Sequence, residues 1–323
     1  MLKLGASGGG GHLLDSHWPF AEQAGFRMVA VYDLKPDHVK TELKGRRLSG
    51  EEITWVTSMR ELLRQDLDAV LITSPDKEHP AQLAAAIEAG VSVLVDKPAA
   101  IDATGLRTVR NAIAHRGSRV VVSSCHPRRF DPPYQALRKR LNRLIARYGA
   151  LVHIEMDFSY PTPRKAWKAT RSLLLDHFIH ELDFMRWLLD EPLIGAKRLQ
   201  DTFDHYCVSG TIGIDSPVTF TCMGTRRLKK RGTYPETVKL RFTEGTCEIN
   251  TKTGVMRMWR HATPENVRTE VTGGTDYDLR FIFLMQDFAA SVKRGEEGYL
   301  NPVDILANTE AAVALATTGH YNL

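Results

Sequence analysis

Across the first 125 residues, short apolar runs alternate with segments of helical pattern, and this alternation limits the fold more than any other feature. The runs are LKLGAS, FRMVAVYD, ITWV, DAVLITS, SVLVDKP and RVVVSS; between them lie SMRELLRQD, HPAQLAAAIEAG and IDATGLRTVRNAIAHRG. Their near-continuous Val- and Ile-rich character suits strands buried on both faces. Strands of that kind separated by helices make a doubly wound parallel sheet, with ligands at the carboxyl ends of its strands. Residues 1–125 are therefore predicted to form a Rossmann-type doubly wound domain.

Beyond residue 125 the pattern changes. A helical PPYQALRKRLNRLIARYG leads into LVHIEMDFSY, and residues 196–272 read as strands with turns at Gly210, Gly232, Gly245 and Gly254. Two helical stretches, LRFIFLMQDFAASVKRG and PVDILANTEAAVALATT, follow. Residues 126–323 are predicted to form an α+β domain with a mostly antiparallel, open-faced sheet. A chain of 323 residues supplies apolar material for two cores.

The net charge of +5 comes from scattered basic residues, which favours small anionic ligands slightly and does not mark a nucleic-acid binder. Cys125, Cys207, Cys222 and Cys247 are widely spaced with no C-x-x-C pair, which argues against a zinc knot or disulfide scaffold and fits a reducing compartment. No apolar run reaches membrane-spanning length, and no basic-then-apolar leader precedes the first strand. The expected location is cytoplasmic, without a membrane partner.

The first strand runs into SGGGGH, residues 7–12. Glycines there let the backbone approach a pyrophosphate, with its charge at a helix N-terminus. With Gly8 and Gly10 as the first two fingerprint glycines, Asp33 follows about 25 residues on and Leu13 takes the third position. Starting from Gly5 instead puts Ser7 second and Gly10 third. Neither register is a clean G-x-G-x-x-G, and a glycine turn without a ligand is the alternative. Its place between the first strand and first helix favours a dinucleotide held by Gly8, Gly9 and Gly10. Asp33 ends the second strand, where a carboxylate can hydrogen-bond a ribose hydroxyl and repel a 2′-phosphate. NAD is thus the expected cofactor, with NADP left open by Lys35.

The fourth strand ends at ITSPDKEH, so Thr73, Ser74 and Pro75 form its exit turn, and pattern alone leaves His79 in solvent at the next helix start. In VLVDKP, Lys97 leaves the carboxyl end of a buried strand and either projects toward the glycine loop or pairs at the surface with Asp96.

One helix is unusual. LLLDHFIHELDFMRWLL, residues 173–189, is apolar nearly all round, yet Asp176, His180 and Asp183 are spaced i, i+4, i+7 on one face. His177 and Glu181 make a second polar pair. Buried carboxylates are costly unless paired or facing water, so the stripe is expected to face a ligand cleft. A metal site of His177, His180 and a carboxylate lacks the H-E-x-x-H spacing and any cysteine partner, so no metal is expected. The run RRLKKR, residues 226–231, reads as a solvated hairpin tip.

In this order, SPDKEHPAQLAAAIEAGVSVLVDKP, PRRFDPPYQALRKRL, LLLDHFIHELDFMRWL, TEGTCEI and DFAASVKRGEEGYLNPVDILANTEAAVA resemble the glucose–fructose oxidoreductase, inositol dehydrogenase and rhizopine-catabolism (Gfo/Idh/MocA) family over nearly the whole chain. DKP looks like its E-K-P motif, and Asp176-x-x-x-His180 its D-x-x-x-H motif. The resemblance implies that Lys97 contacts the substrate oxygen and nicotinamide ribose, and that His180 is the acid/base with Asp176 beside it. It implies further that Thr73, Pro75 and His79 line the nicotinamide side, with Arg129 near the cleft. Arg129, Trp167, Arg171 and His177 are the candidate substrate contacts. The family's pattern is NAD or NADP chemistry at a hydroxyl carbon of sugars and cyclitols, and assembly as a dimer or tetramer through the second domain's open sheet. Three departures stand out: the irregular glycines, TRSLLL where a glycine-rich run usually precedes the D-x-x-x-H helix, and Asp96 in place of Glu. A nicotinamide-dependent dehydrogenase is the leading expectation. A non-catalytic dinucleotide-binding sensor and NAD-dependent glycoside cleavage are the alternatives.

Overall fold

Six strands near the start of the chain pair in parallel: β1 (Leu2–Ser7), β2 (Phe26–Tyr32), β3 (Thr54–Val56), β4 (Ala69–Ile72), β5 (Ser92–Val95) and β6 (Val122–Ser124). Their order is β3-β2-β1-β4-β5-β6, so the winding reverses between β1 and β4. That is the switch point at which such sheets take ligands. The strands are buried because helices cover the sheet; Val70, Ile72, Val93, Val95 and Val122 share a core with Leu83, Ala86, Val109 and Ile113 of helices 79–88 and 103–114. Asp102 starts the second of these helices by accepting a 2.8 Å hydrogen bond from the Gly105 N–H, a conventional N-cap.

These coordinates come from a computed structural model that describes residues 1–323 except 47, 49–51, 160–171 and 229–235. The chain divides into two bodies, Met1–Pro127 with Tyr277–Glu310, and Arg128–Asp276 with Ala311–Leu323. A single boundary after residue 125 is thereby corrected, because the segment from Tyr277 folds back onto the first body. Helix Tyr277–Arg294 buries Phe281, Leu284, Met285 and Phe288. Phe288 packs at a tilt against Phe26 of β2, 5.7 Å between ring centroids, and Phe281 meets the rings of His12 and His17. Hydrophobic periodicity reveals such a helix but not which core receives it.

The second body contains β7 (Leu151–Phe158), β8 (Leu193–Asp201), β9 (His205–Ile212), β10 (Val218–Thr225), β11 (Glu236–Phe242), β12 (Gly245–Asn250), β13 (Val255–Arg260), β14 (Thr263–Val271) and β15 (His320–Asn322). They form one sheet, β14-β13-β12-β11-β7-β10-β9-β8-β15, in which only β7 and β10 run parallel. Gly254 lies in a turn at φ +73°, as expected. Gly245 opens β12 directly after the bend at Thr243 and Glu244 that reverses the chain from β11, and a Cβ there would sit 2.4 Å from the Tyr148 ring. Gly210 instead lies within β9, where a Cβ would sit 2.3 Å from the Gly195 carbonyl, so close strand approach and not chain reversal accounts for it. Gly232 lies outside the described residues. No described helix is long and apolar enough to cross a membrane.

Docking of helix 277–294 on the first body makes Phe288 a core residue. Phe288→Ala should lower unfolding free energy by about 3–5 kcal/mol in a urea titration. A loss below about 1 kcal/mol would contradict this packing.

Candidate active site

The carboxyl edge of the first sheet is built from backbone contacts. Gly8 leaves β1 at φ +93°, and a Cβ there would sit 2.4 Å from the Ser74 nitrogen. Only glycine meets both demands. Gly9 is pressed against Val39, whereas a Cβ on Gly10 would meet nothing within 4 Å. The turn is therefore closed toward β4 and open on its outer side, where a phosphate group could approach the backbone. Leu13 is fully buried at the position of the missing third glycine.

The neighbouring strand ends are tied to this turn. The Asp33 carboxylate accepts from the Gly9 N–H at 2.7 Å and the Lys35 N–H at 2.6 Å. A carboxylate has further acceptor sites, so ribose hydroxyls can still be bound. The Thr73 hydroxyl donates to the Gly8 carbonyl. Ser74 donates to the Gln82 side-chain oxygen at 2.7 Å, and Ser7 donates to the same oxygen at 2.9 Å. Thr73 and Ser74 thus brace the turn.

His79 is buried rather than solvated. Its ring nitrogens lie 2.8 Å from the Ser74 and Pro98 carbonyls, linking the exits of β4 and β5. Only an imidazolium can donate to both, and burial opposes that charge by lowering the His79 pKa. The neutral ring keeps one of the two bonds. His79 positions the exit turns on which Thr73, Pro75 and Lys97 sit, a role the solvent reading missed.

Asp96 is not the surface partner of Lys97. Its Oδ1 lies 3.3 Å from Nε2 of both His12 and His17. The Cys125 Sγ is 3.9 Å from the His12 Nε2. Burial alone would raise the Asp96 carboxyl, but the two imidazoles hold it well below the usual carboxylate range. The same burial, with Asp96 nearby, pushes the Cys125 thiol well up. Sequence reading missed this group. Its one local signal is the H-x-x-x-x-H spacing of His12 and His17, which an α-helix would splay apart; a π-turn over Leu13–His17 brings them to one side.

In the second body, the helix from 173 is also interrupted by a π-turn, Leu174–Phe178, before continuing as Ile179–Leu189. The expected i, i+4, i+7 face does not survive. Asp183 is 1% exposed and takes a bidentate pair from Arg129, 2.9 Å from Nε and 2.6 Å from Nη2. Arg129 is therefore a structural residue of this helix, not an open substrate contact. Arg128 likewise donates to Glu181 at 2.8 Å and stacks over the Phe158 ring at 3.8 Å. Burial would raise the Glu181 carboxyl, but Arg128 and His177 hold it down to about 2.

The remaining polar groups are gathered nearby. Asp176 is buried with Arg226 at 3.6 Å, so that arginine is not part of a solvated tip. His177 is buried, with Nδ1 3.2 Å from the Tyr206 hydroxyl and 3.2 Å from Glu181. His180 is half-buried, its ring edge-on to His177 at 6.4 Å. Trp167 and Arg171 lie outside the described residues, as do residues 229–231 of the basic run.

A parallel sheet with a glycine turn at its switch point and a carboxylate at the next strand end defines a dinucleotide-fold domain. Residues 5–124 match the family described as an oxidoreductase family with an NAD-binding Rossmann fold (Gfo/Idh/MocA). That match lies within the first body. The chain is 29% identical to the inositol 2-dehydrogenase of Agrobacterium fabrum over 175 residues, 54% of this chain and 50% of that one. The chain thus spans about half the length of the curated relatives it matches. Its fold is that of the aldose-aldose oxidoreductase of Caulobacter crescentus complexed with glycerol, at TM-score 0.80, 16% identity and coverage of 100% and 99% of the two chains. Levoglucosan dehydrogenase complexed with NADH and levoglucosan gives TM-score 0.80 at 17% identity, covering 98% of this chain and 97% of that one.

Two outcomes follow from this geometry. Gly8→Ala should cost roughly 2 kcal/mol or more, since it adds a positive-φ penalty to a backbone clash, whereas Gly10→Ala should stay within about 0.5 kcal/mol of wild type. Equal melting temperatures for the two variants would contradict the closed-and-open description of the turn. Glu181 has a folded pKa below its ordinary 4.5, so its stabilisation is complete above that pH and lost as pH falls toward about 2. Wild-type stability should therefore approach that of Glu181→Gln as the pH is lowered through this window. Parallel stability curves would count against a paired Glu181.

Proposed function

We propose that the protein is an NAD-dependent oxidoreductase that interconverts a hydroxyl and a carbonyl on a small polyhydroxylated substrate of the sugar or cyclitol class. The observation that carries this reading is the Gly8 turn with Asp33 clamped on the Gly9 N–H, inside a segment matching an NAD-binding family. The similarity to inositol 2-dehydrogenases supports the substrate class.

Gly10 would offer the open outer side of the turn to the pyrophosphate, with Gly8 and Gly9 closing the turn behind it, and Asp33 would accept from the adenosine ribose. Its charge disfavours a 2′-phosphate, hence NAD over NADP. The bound nicotinamide would supply the hydride acceptor. Thr73, Ser74 and Pro75 would shape its side of the pocket, with His79 holding their turn. Removing hydride from a secondary alcohol requires loss of the hydroxyl proton. In this reading His180 takes that proton, with Asp176 and His177 flanking it on the same helix. Lys97 steadies the developing alkoxide as an ammonium. Assembly through the outward face of the second sheet, where His153 and Glu155 of β7 pair in register with Arg241 and Lys239 of β11, belongs to the same reading.

His180→Ala and Lys97→Ala should each lower turnover by about 10²–10⁴ on an accepted cyclitol or sugar, measured as NADH absorbance, while NAD⁺ affinity changes little. Near-normal turnover in both variants would overturn the assignment. Intact NAD⁺ binding with no turnover by wild type across a broad polyol panel would instead favour a dinucleotide sensor. Release of an aglycone without net NADH would favour glycoside cleavage.

A further inference from the structure

We propose that His12, His17, Asp96 and Cys125 form a four-coordinate site for a divalent transition-metal cation of the zinc class, set at the carboxyl edge of the first sheet. Their four donor atoms all lie within 4.8 Å of one another, the one such group of His, Cys, Asp or Glu among the described residues. A tetrahedral zinc ion with nitrogen, oxygen and sulfur ligands separates its donors by roughly 3.3–3.6 Å, from bond lengths of about 2.0–2.3 Å. Asp96 Oδ1 already stands 3.3 Å from both imidazole Nε2 atoms, and the thiol is 3.9 Å from one of them. The widest separation, at most 4.8 Å, exceeds this by roughly 1.2–1.5 Å, and His12, whose side chain is 41% exposed, has room to move.

The surroundings support a cation. Asp96 as carboxylate and Cys125 as thiolate offset a charge of two, so the filled site would be neutral, and a thiolate with two imidazoles selects zinc-like ions over magnesium or calcium. Binding releases the thiol proton to solvent and involves no redox change. The His12 Nδ1 is 3.1 Å from the Ser16 hydroxyl, itself 2.6 Å from that of Tyr277. Such an outer partner fixes the tautomer that directs the Nε2 lone pair inward. Phe281 packs edge-on against both imidazoles. The π-turn that sets the two histidines side by side is the kind of helix irregularity that recurs at functional sites. With four protein ligands the site is closed, so it would clamp the glycine loop and first helix to the ends of β5 and β6 rather than activate water. Nothing in it requires nucleotide binding.

Cobalt(II) is the probe. Chelator-stripped protein, titrated anaerobically with Co(II), should take up one equivalent, with the intense d–d bands of tetrahedral cobalt and a thiolate-to-cobalt charge-transfer band. Zn(II) should displace both. Cys125→Ala should lose the charge-transfer band, and His12→Ala, at an exposed position, should weaken Co(II) binding at least about tenfold. Circular dichroism establishes that each variant is folded. A weak octahedral wild-type spectrum without a thiolate band overturns the site, as do two folded variants titrating like wild type. The wild-type spectrum decides alone if a variant fails to fold.

Discussion

The backbone of Ser74 lies against the α-carbon of Gly8, and the whole ligand edge of the first body is assembled on that approach. Because no side chain intervenes, the exit of β1 can bond directly to the exit of β4 through the Thr73 hydroxyl and the Gly8 carbonyl. Gln82 joins Ser7 to Ser74, and His79 carries the connection from Ser74 to Pro98 after β5. Three strand ends that are separate in sequence thus become one braced surface. Its polar groups are arranged before any ligand arrives, which lowers the entropy lost on binding.

Both candidate clusters sit at π-turns. An extra residue in a helical turn shifts side chains off the α-helical register, and each time the shift gathers ionisable groups: His12 with His17 in one body, Asp176 and His177 in the other. The second body balances its buried charge with consecutive arginines. Arg128 and Arg129 leave one short turn and meet Glu181 and Asp183. Two buried carboxylates on a greasy helix are tolerable because each has a guanidinium within hydrogen-bond range. Removing either arginine alone would strand a buried charge.

Much of the first body is legible in its sequence because Val-rich runs, helix spacing and a glycine-rich first turn are local signals. Asp33 was legible for the same reason, since it lies at the end of the next strand. The docking of helix 277–294 was not, because an amphipathic pattern says that a face is buried without saying where. Arg129 was misplaced by its neighbourhood in a motif. Its partner Asp183 lies 54 residues away, and only the folded helix joins them. The His12 and Cys125 pairing spans 113 residues and crosses several strands, so cysteine spacing could not disclose it. Gly210 looks like a turn former in sequence, yet it lies inside a strand of the second sheet and serves close packing.

Calorimetric titration of the wild-type protein with NAD⁺ and, separately, NADP⁺ tests the central claim most directly. The braced glycine turn with Asp33 beside it predicts saturable binding of NAD⁺, one per chain, and markedly weaker binding of NADP⁺. No heat with either nucleotide, or tighter binding of NADP⁺, would contradict it.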